Sequence, residues 1–110
     1  MGMRRIKHPS MDQIELTDIM YALADPTRLE IVTLLATAGR KMTCGEIDLN
    51  RPKSSMSHHF KILRSAGLVE TMIEGTEHMN SLRLEEIEQK YPGVLKAVLK
   101  ATAGSPVHQG

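Results

Sequence analysis

Between Leu49 and Val69 the sequence reads LNRPKSSMSHHFKILRSAGLV, a stretch that carries Arg51, Lys53, Lys61 and Arg64, the adjacent His58 and His59, and no acidic residue. Such a segment attracts phosphate, because the local field acts on a nearby polyanion more strongly than the chain average does. The average conceals it: 14 Lys and Arg stand against 13 Asp and Glu, for a net charge of +1. Ser54, Ser55, Ser57 and His58 add small donors and acceptors of the kind that fit against base edges in a major groove. A solvated basic helix face would show the same charge pattern, so the pattern alone leaves both readings open.

Other chemistry is thinly provided. No Gly-rich phosphate loop and no Ser, His and acid arrangement is present, and Glu85, Glu86 and Glu88 read as a solvated helix face, so no enzyme and no cofactor is expected. The single Cys44 excludes an internal disulfide framework and a cysteine-only metal cluster. It reads either as a redox-responsive thiol, given a lowered pKa and access, or as a small buried hydrophobe. His8, His78 and His108 are too scattered to propose as ligands, and no metal is expected. Apolar runs stay as short as Ile31–Val32 and Leu34–Leu35, so no segment spans a bilayer. No apolar run follows Arg4, Arg5 and Lys7, so the start does not read as a secretory signal, and a cytoplasmic protein is expected.

The elements that must position the basic stretch follow from period and punctuation. With 110 residues, 41% of them hydrophobic, the chain has room for one domain and one core. Residues 1–10 read as a flexible basic arm, 11–102 as the folded domain and 103–110 as a disordered tail rich in helix breakers. From Met11, the apolar positions Ile14, Ile19, Met20 and Leu23 predict a first helix. Asp25-Pro26 ends it and caps a second helix through Leu35, stopped at Gly39. Thr43 with Glu46 has the form of a capping box and predicts a short helix over 43–48 with Ile47 inward. Ser54 or Ser55 would cap the next helix, with Met56, Phe60, Ile62 and Leu63 on its apolar side and Gly67 at its end. LVETMIE, Gly75-Thr76 and EHMNSLRL predict a hairpin, then a helical turn over 84–90 and a last amphipathic helix opened by Pro92. The fold class is mainly α with a small β-hairpin, an α+β domain in the order of a winged helix-turn-helix.

The run ALADPTRLEIVTLL (Ala22 to Leu35), then TCGEI (Thr43 to Ile47), then SSMSHHFKILRSAGLVE (Ser54 to Glu70) resembles the ArsR/SmtB family of dimeric winged-helix repressors over roughly residues 12 to 100. The resemblance implies a homodimer paired through the first and last helices, with Ile14, Ile19, Met20, Leu23, Leu95, Val98 and Leu99 as the pairing residues. It implies double-stranded operator DNA as partner, with Lys53, Ser54, Ser55, Ser57 and His58 facing bases, Lys61 and Arg64 near phosphates, and His59 packed at the base of the helix. A small molecule or an oxidant acting through Cys44 is a possible effector. Cys44 stands where the family usually has valine, and the last helix lacks the family's His and acidic ligands, so its metal sites are expected to be absent.

Some assignments have rivals. For Ser54 and Ser55 the rival is a capping role alone, because capping uses the same hydroxyl. Glu74 and Glu77 occupy the hairpin tip, where many family members carry arginines, and phosphate repels them. That leaves the helix at 54–66, with the Arg4-Arg5-Lys7 arm, to supply positive charge. A winged helix that binds a partner protein is the alternative from another class; a basic, acid-free helix favours DNA, and a large exposed apolar patch would favour protein.

Overall fold

The computed structural model describes residues 3–103; the expected tail, apart from Ala103, lies outside the described residues. In chain order the elements are β1 (Met3–Arg5), a 3-10 turn (Met11–Gln13), α1 (Leu16–Leu23), α2 (Pro26–Ala38), β2 (Met42–Thr43) and α3 (Lys53–Ser65). The hairpin β3 (Val69–Glu74) and β4 (Glu77–Leu82), then α4 (Leu84–Lys90) and α5 (Val94–Ala103), complete the order. The strands make an antiparallel sheet in the order β1-β3-β4-β2. The hairpin turns through Gly75-Thr76, with Gly75 at φ 64°, a left-handed conformation that glycine adopts without strain.

Local rules explain most boundaries. The Asp25 side chain accepts from the Arg28 backbone N–H at 3.0 Å, and Pro26 occupies the first helical position of α2. Burial pushes the Asp25 carboxyl up, but the Arg28 N–H bond and the Arg28 charge outweigh it and hold the group below the ordinary range. The Glu88 carboxylate accepts from the N–H groups of Gly93 (2.9 Å) and Lys96 (3.0 Å), which starts α5 at Val94, two residues later than Pro92 suggests.

Four expectations are corrected. Residues 3–5 form an edge strand on β3, with Arg4 opposite Ile73, instead of running free as an arm. The first helix starts at Leu16: Ile14 is extended, and the Asp18 carboxylate accepts from the Glu15 N–H at 3.1 Å. The capping box at Thr43 and Glu46 does form, with bonds of 2.8 and 3.1 Å, yet it closes one turn and no helix follows. A single turn fixes several dihedrals for one bond, Gly45 disfavours extension, and the Asp48 side chain draws the Asn50 N–H into a competing turn at 2.9 Å. Neither Ser54 nor Ser55 caps α3, which begins at Lys53 with Pro52 before it, so both hydroxyls sit in the first turn.

The core gathers Ile14, Ile19, Ile31, Val32, Leu35, Ile47, Phe60, Leu63, Leu68, Val69, Ile87 and Leu95. Two polar devices orient the layers around it. On the sheet's inner face Thr71 Oγ1 donates to Asn80 Oδ1 at 2.7 Å, and Asn80 Nδ2 donates to the Met42 carbonyl at 3.2 Å. Arg28, only 7% exposed, donates through Nε to the Ala22 carbonyl (2.8 Å) and through Nη2 to that of Tyr21 (3.4 Å) at the end of α1. Its Nη1 lies 3.2 Å from His59 Nδ1 on α3. Arginine only donates, so His59 Nδ1 is the acceptor of this bond.

At the end of α3 the chain reverses through Gly67 at φ 79°, with Leu68 N–H bonded to the Leu63 carbonyl at 3.0 Å. A Cβ at Gly67 would lie 2.7 Å from Ile14 Cγ1. Gly67→Ala is therefore expected to cost roughly 1–2 kcal/mol of backbone strain and about 1–3 kcal/mol more for overpacking. Gly39→Ala, at φ 64° with nothing near its Cβ, incurs only the first cost; equal losses for the two in urea unfolding would contradict the close approach. Arg28→Ala removes the donor shared by three acceptors and is expected to destabilise by roughly 2–4 kcal/mol, read in the same way. The depressed Asp25 carboxyl favours folding above its unfolded pKa, and this contribution is lost as pH falls through the lower folded value. Asp25→Asn should accordingly flatten the acid limb of thermal stability below about pH 4.

Candidate nucleic-acid interface

α3 has an apolar inner side, where Phe60 and Leu63 are buried, and an open outer side. Lys53, Ser54, Ser55, Ser57, His58 and Lys61 are all exposed, and Arg64 is half-buried one turn beyond Lys61. Spacing of three and four residues puts Ser54, Ser57, His58 and Lys61 in one stripe. Every residue expected on this face is thus brought together on one helix, free of the capping duty that would have occupied two serines. Arg51, which adds to the basic character of the sequence, is engaged elsewhere: Nε donates to Thr27 Oγ1 at 3.3 Å and Nη1 to the Leu49 carbonyl at 2.8 Å. His59 is turned inward to Arg28, with Asp25 Oδ2 3.7 Å from the same Nδ1, as its packing role requires.

The hairpin stands beside the start of α3. Thr76, Glu77 and His78 at its tip share an open cleft of about 680 Å³ with Lys53, Met56 and Ser57. Glu77 is exposed, whereas Glu74 is bound to Lys41 Nζ at 2.6 Å across the sheet, so one of the two tip charges is neutralised. Cys44 also borders this cleft. It is exposed, contrary to the buried, valine-like placement that a structural role would need, and its Sγ accepts from Asn80 Nδ2 at 3.4 Å. Among the described residues no group of three or more His, Cys, Asp and Glu side chains is gathered as a metal ion would require. No helix among them is long and apolar enough to cross a membrane.

The expected pairing residues separate into two groups. Ile14, Ile19 and Leu95 are fully buried inside the single chain, and so are not available to a second copy. Ile14 packs on Gly67, and its carbonyl accepts from Lys90 Nζ and Tyr91 Oη, both at 2.8 Å. Leu23 and Leu99 are half-buried against the core, Val98 is half-buried, and Met20 is 55% exposed. Sequence reasoning missed Tyr21 beside it, 64% exposed with its ring 5.3 Å from the Arg28 guanidinium carbon. It also missed Arg28. The signal was present: Arg28 precedes Ile31, Val32 and Leu35 at helical spacing, on the stripe that faces the core.

A family model described as a helix-turn-helix domain matches residues 23–71, which contain α2, α3 and the first three residues of β3. The chain is 37% identical over 91 residues to an uncharacterised HTH-type transcriptional regulator, YceK, of Bacillus subtilis, covering 81% of this chain and 90% of that one. It is 35% identical to the arsenical resistance operon repressor of Staphylococcus xylosus, over 71% of this chain and 75% of the relative. The transcriptional repressor SdpR of Bacillus subtilis matches at 31% over 77% of this chain and 94% of its own length. A crystal structure of an ArsR family transcriptional regulator superposes with a TM-score of 0.61 at 21% identity, covering 90% of this chain and 99% of that one, and so shares the fold. With the winged-helix order and the relatives in agreement, the chain belongs to the ArsR family of winged helix-turn-helix transcriptional regulators.

Proposed function

We propose that this protein is a sequence-specific double-stranded DNA-binding repressor that occupies an inverted-repeat operator as a homodimer. The observation that carries the reading is the exposed, acid-free stripe of α3. A helix of this kind enters a major groove with its first residues on base edges and its flanks on phosphates. In this assignment Ser54, Ser55, Ser57 and His58 read bases, while Lys53, Lys61 and Arg64 hold the backbone. Two-fold symmetry then requires two half-sites, with helices about 34 Å apart. Repressor relatives support the direction of regulation.

The second copy is assigned to the open sides of α1, at Met20 and Tyr21, and of α5, at Val98. Met20 and Tyr21 are the large apolar or aromatic side chains left exposed among the described residues, and burying such side chains is the usual source of dimer stability. The exposed Cys44 beside the reading helix supports a thiol-responsive form of release, with an oxidant as effector, over the purely structural role.

Lys61→Ala should weaken binding to all duplexes alike and lower the salt slope by about two units for the dimer, one per half-site. His58→Ala should instead relax discrimination between operator and scrambled duplex. If neither variant differs from the wild type, or if the wild type binds no duplex at low salt, the reading gives way to a winged helix that binds protein. Met20→Asp combined with Val98→Asp should halve the mass found by light scattering without unfolding the chain, while Leu95→Asp should unfold it. A double variant still dimeric would place the interface elsewhere.

A further inference from the structure

The wing has two unlike faces. In the hairpin register Glu74 opposes Glu77, Ile73 opposes His78 and Thr71 opposes Asn80. Directly opposed residues share a face of a sheet, and successive residues along a strand alternate between faces. Glu74 and Glu77 therefore lie on one face, and Ile73 and His78 on the other. The buried side chains tell which is which. Thr71 and Asn80 are fully buried and bonded to each other at 2.7 Å, so theirs is the inner face, and His78 follows Asn80 on it, one alternation nearer the tip. Met42, buried and opposite Asn80, belongs to the inner face as well. Lys41, the residue before it, reaches Glu74 at 2.6 Å, so that ion pair sits on the outer face.

Toward the tip the inner face is open. His78 is exposed, and it borders the cleft of about 680 Å³ that it shares with Lys53, Met56 and Ser57 at the start of α3. Glu77 and Asp48 also border this cleft. Alternation along β4 turns the Glu77 side chain to the face opposite His78, and the Asp48 carboxylate accepts from the Asn50 N–H at 2.9 Å. The repulsion expected between an acidic tip and phosphate thus concerns the outer face alone. On the inner side an imidazole from the wing stands with an ammonium and a hydroxyl from α3, and each can donate to a phosphate oxygen. An imidazole keeps at least one N–H donor in either charge state.

We infer that His78 is the wing's DNA contact, donating to a backbone phosphate that enters the cleft between the wing and the start of α3, while Glu74 and Glu77 face away from the duplex. Lys53 and Ser57 meet the same stretch of backbone from α3. Bonds to phosphate from two elements fix the register of a helix in its groove. The inference rests on the DNA-binding reading of α3 and adds to it a contact from a second element. A surface histidine without a task would occupy the same position, and the experiment separates the two.

The test compares two substitutions, His78→Arg and Glu77→Gln, that each raise the formal charge of a protomer by one, counted with histidine neutral. Salt titrations of the full chain are made on a mixed-sequence duplex and on the DNA upstream of its own coding sequence, because a phosphate contact is independent of base sequence and both duplexes report it. His78→Arg should raise affinity on both and steepen the salt slope by about two units for the dimer, one per half-site. Glu77→Gln should leave the slope unchanged and the affinity within about twofold, since its side chain faces away. His78→Ala should lower affinity about fivefold or more on both duplexes, for two hydrogen bonds lost per dimer, with the circular dichroism spectrum and melting temperature of the wild type. Equal gains from His78→Arg and Glu77→Gln would overturn the inference, because net charge and not position would then decide. Full affinity in His78→Ala beside a loss in Lys61→Ala would also overturn it, and would leave the DNA reading of α3 intact. A wild type that binds neither duplex at low salt would remove both readings together.

Discussion

A buried arginine is the constraint on which the arrangement depends. A guanidinium withdrawn from water costs several kcal/mol unless its donors are matched, and Arg28 finds its partners on two other elements: the last carbonyls of α1 and the imidazole of α3. These partners cannot drift apart without exposing an unpaired charge to an apolar surrounding. The arginine thereby fixes the angle between the helix that bears Met20 and Tyr21 and the helix that bears the basic stripe. Its own backbone N–H is held by Asp25, whose carboxylate also lies 3.7 Å from His59, so the α2 cap and α3 share one polar cluster. Directional bonds of this kind select one packing where apolar contact alone would tolerate several.

The opposite end of α3 is set by shape. Gly67 admits the Ile14 side chain so closely that any larger residue would push it away. Ile14 is in turn held through its carbonyl by Lys90 and Tyr91, which join α4 to the segment before α1. α3 is thus clamped near its middle by a charge network and at its end by a packed glycine. In the proposed reading, a stripe of serines, histidine and lysine held on such a rigid support loses little freedom on meeting a groove, and this preorganisation favours recognition. The wing follows from the same logic, because Thr71 and Asn80 tie the hairpin to β2 through a buried pair that tolerates no slip of register.

Much of this was legible in the sequence where the rule is local. Asp25-Pro26 and Gly39 bound α2, and Gly75-Thr76 turns the hairpin, because caps and turns are decided within a few residues. The basic stripe was legible too, since helical spacing alone gathers Ser54 to Lys61 on one side. What failed to show depended on distant partners. β1 is three residues long and acquires its strand character only from β3, about seventy positions away. The capping box at Thr43 formed as its residues dictate, yet propagation needed neighbours that Gly45 and Asp48 are not. Periodicity identified Ile14, Ile19 and Leu95 as apolar but could not say whether their own chain or another would cover them, and their own chain does. Arg28 escaped notice because a charge on an apolar stripe reads as an exception until its three acceptors are seen.

The central claim is that α3 meets DNA through its outer stripe. Backbone amide shifts of the labelled protein titrated with an operator duplex measure this residue by residue. The account predicts that the largest changes fall on residues 53–61 and on Arg64, with the buried side of α3 and the α4 to α5 region nearly unmoved. Changes concentrated on α4 and α5, with residues 53–61 unaffected, would contradict it.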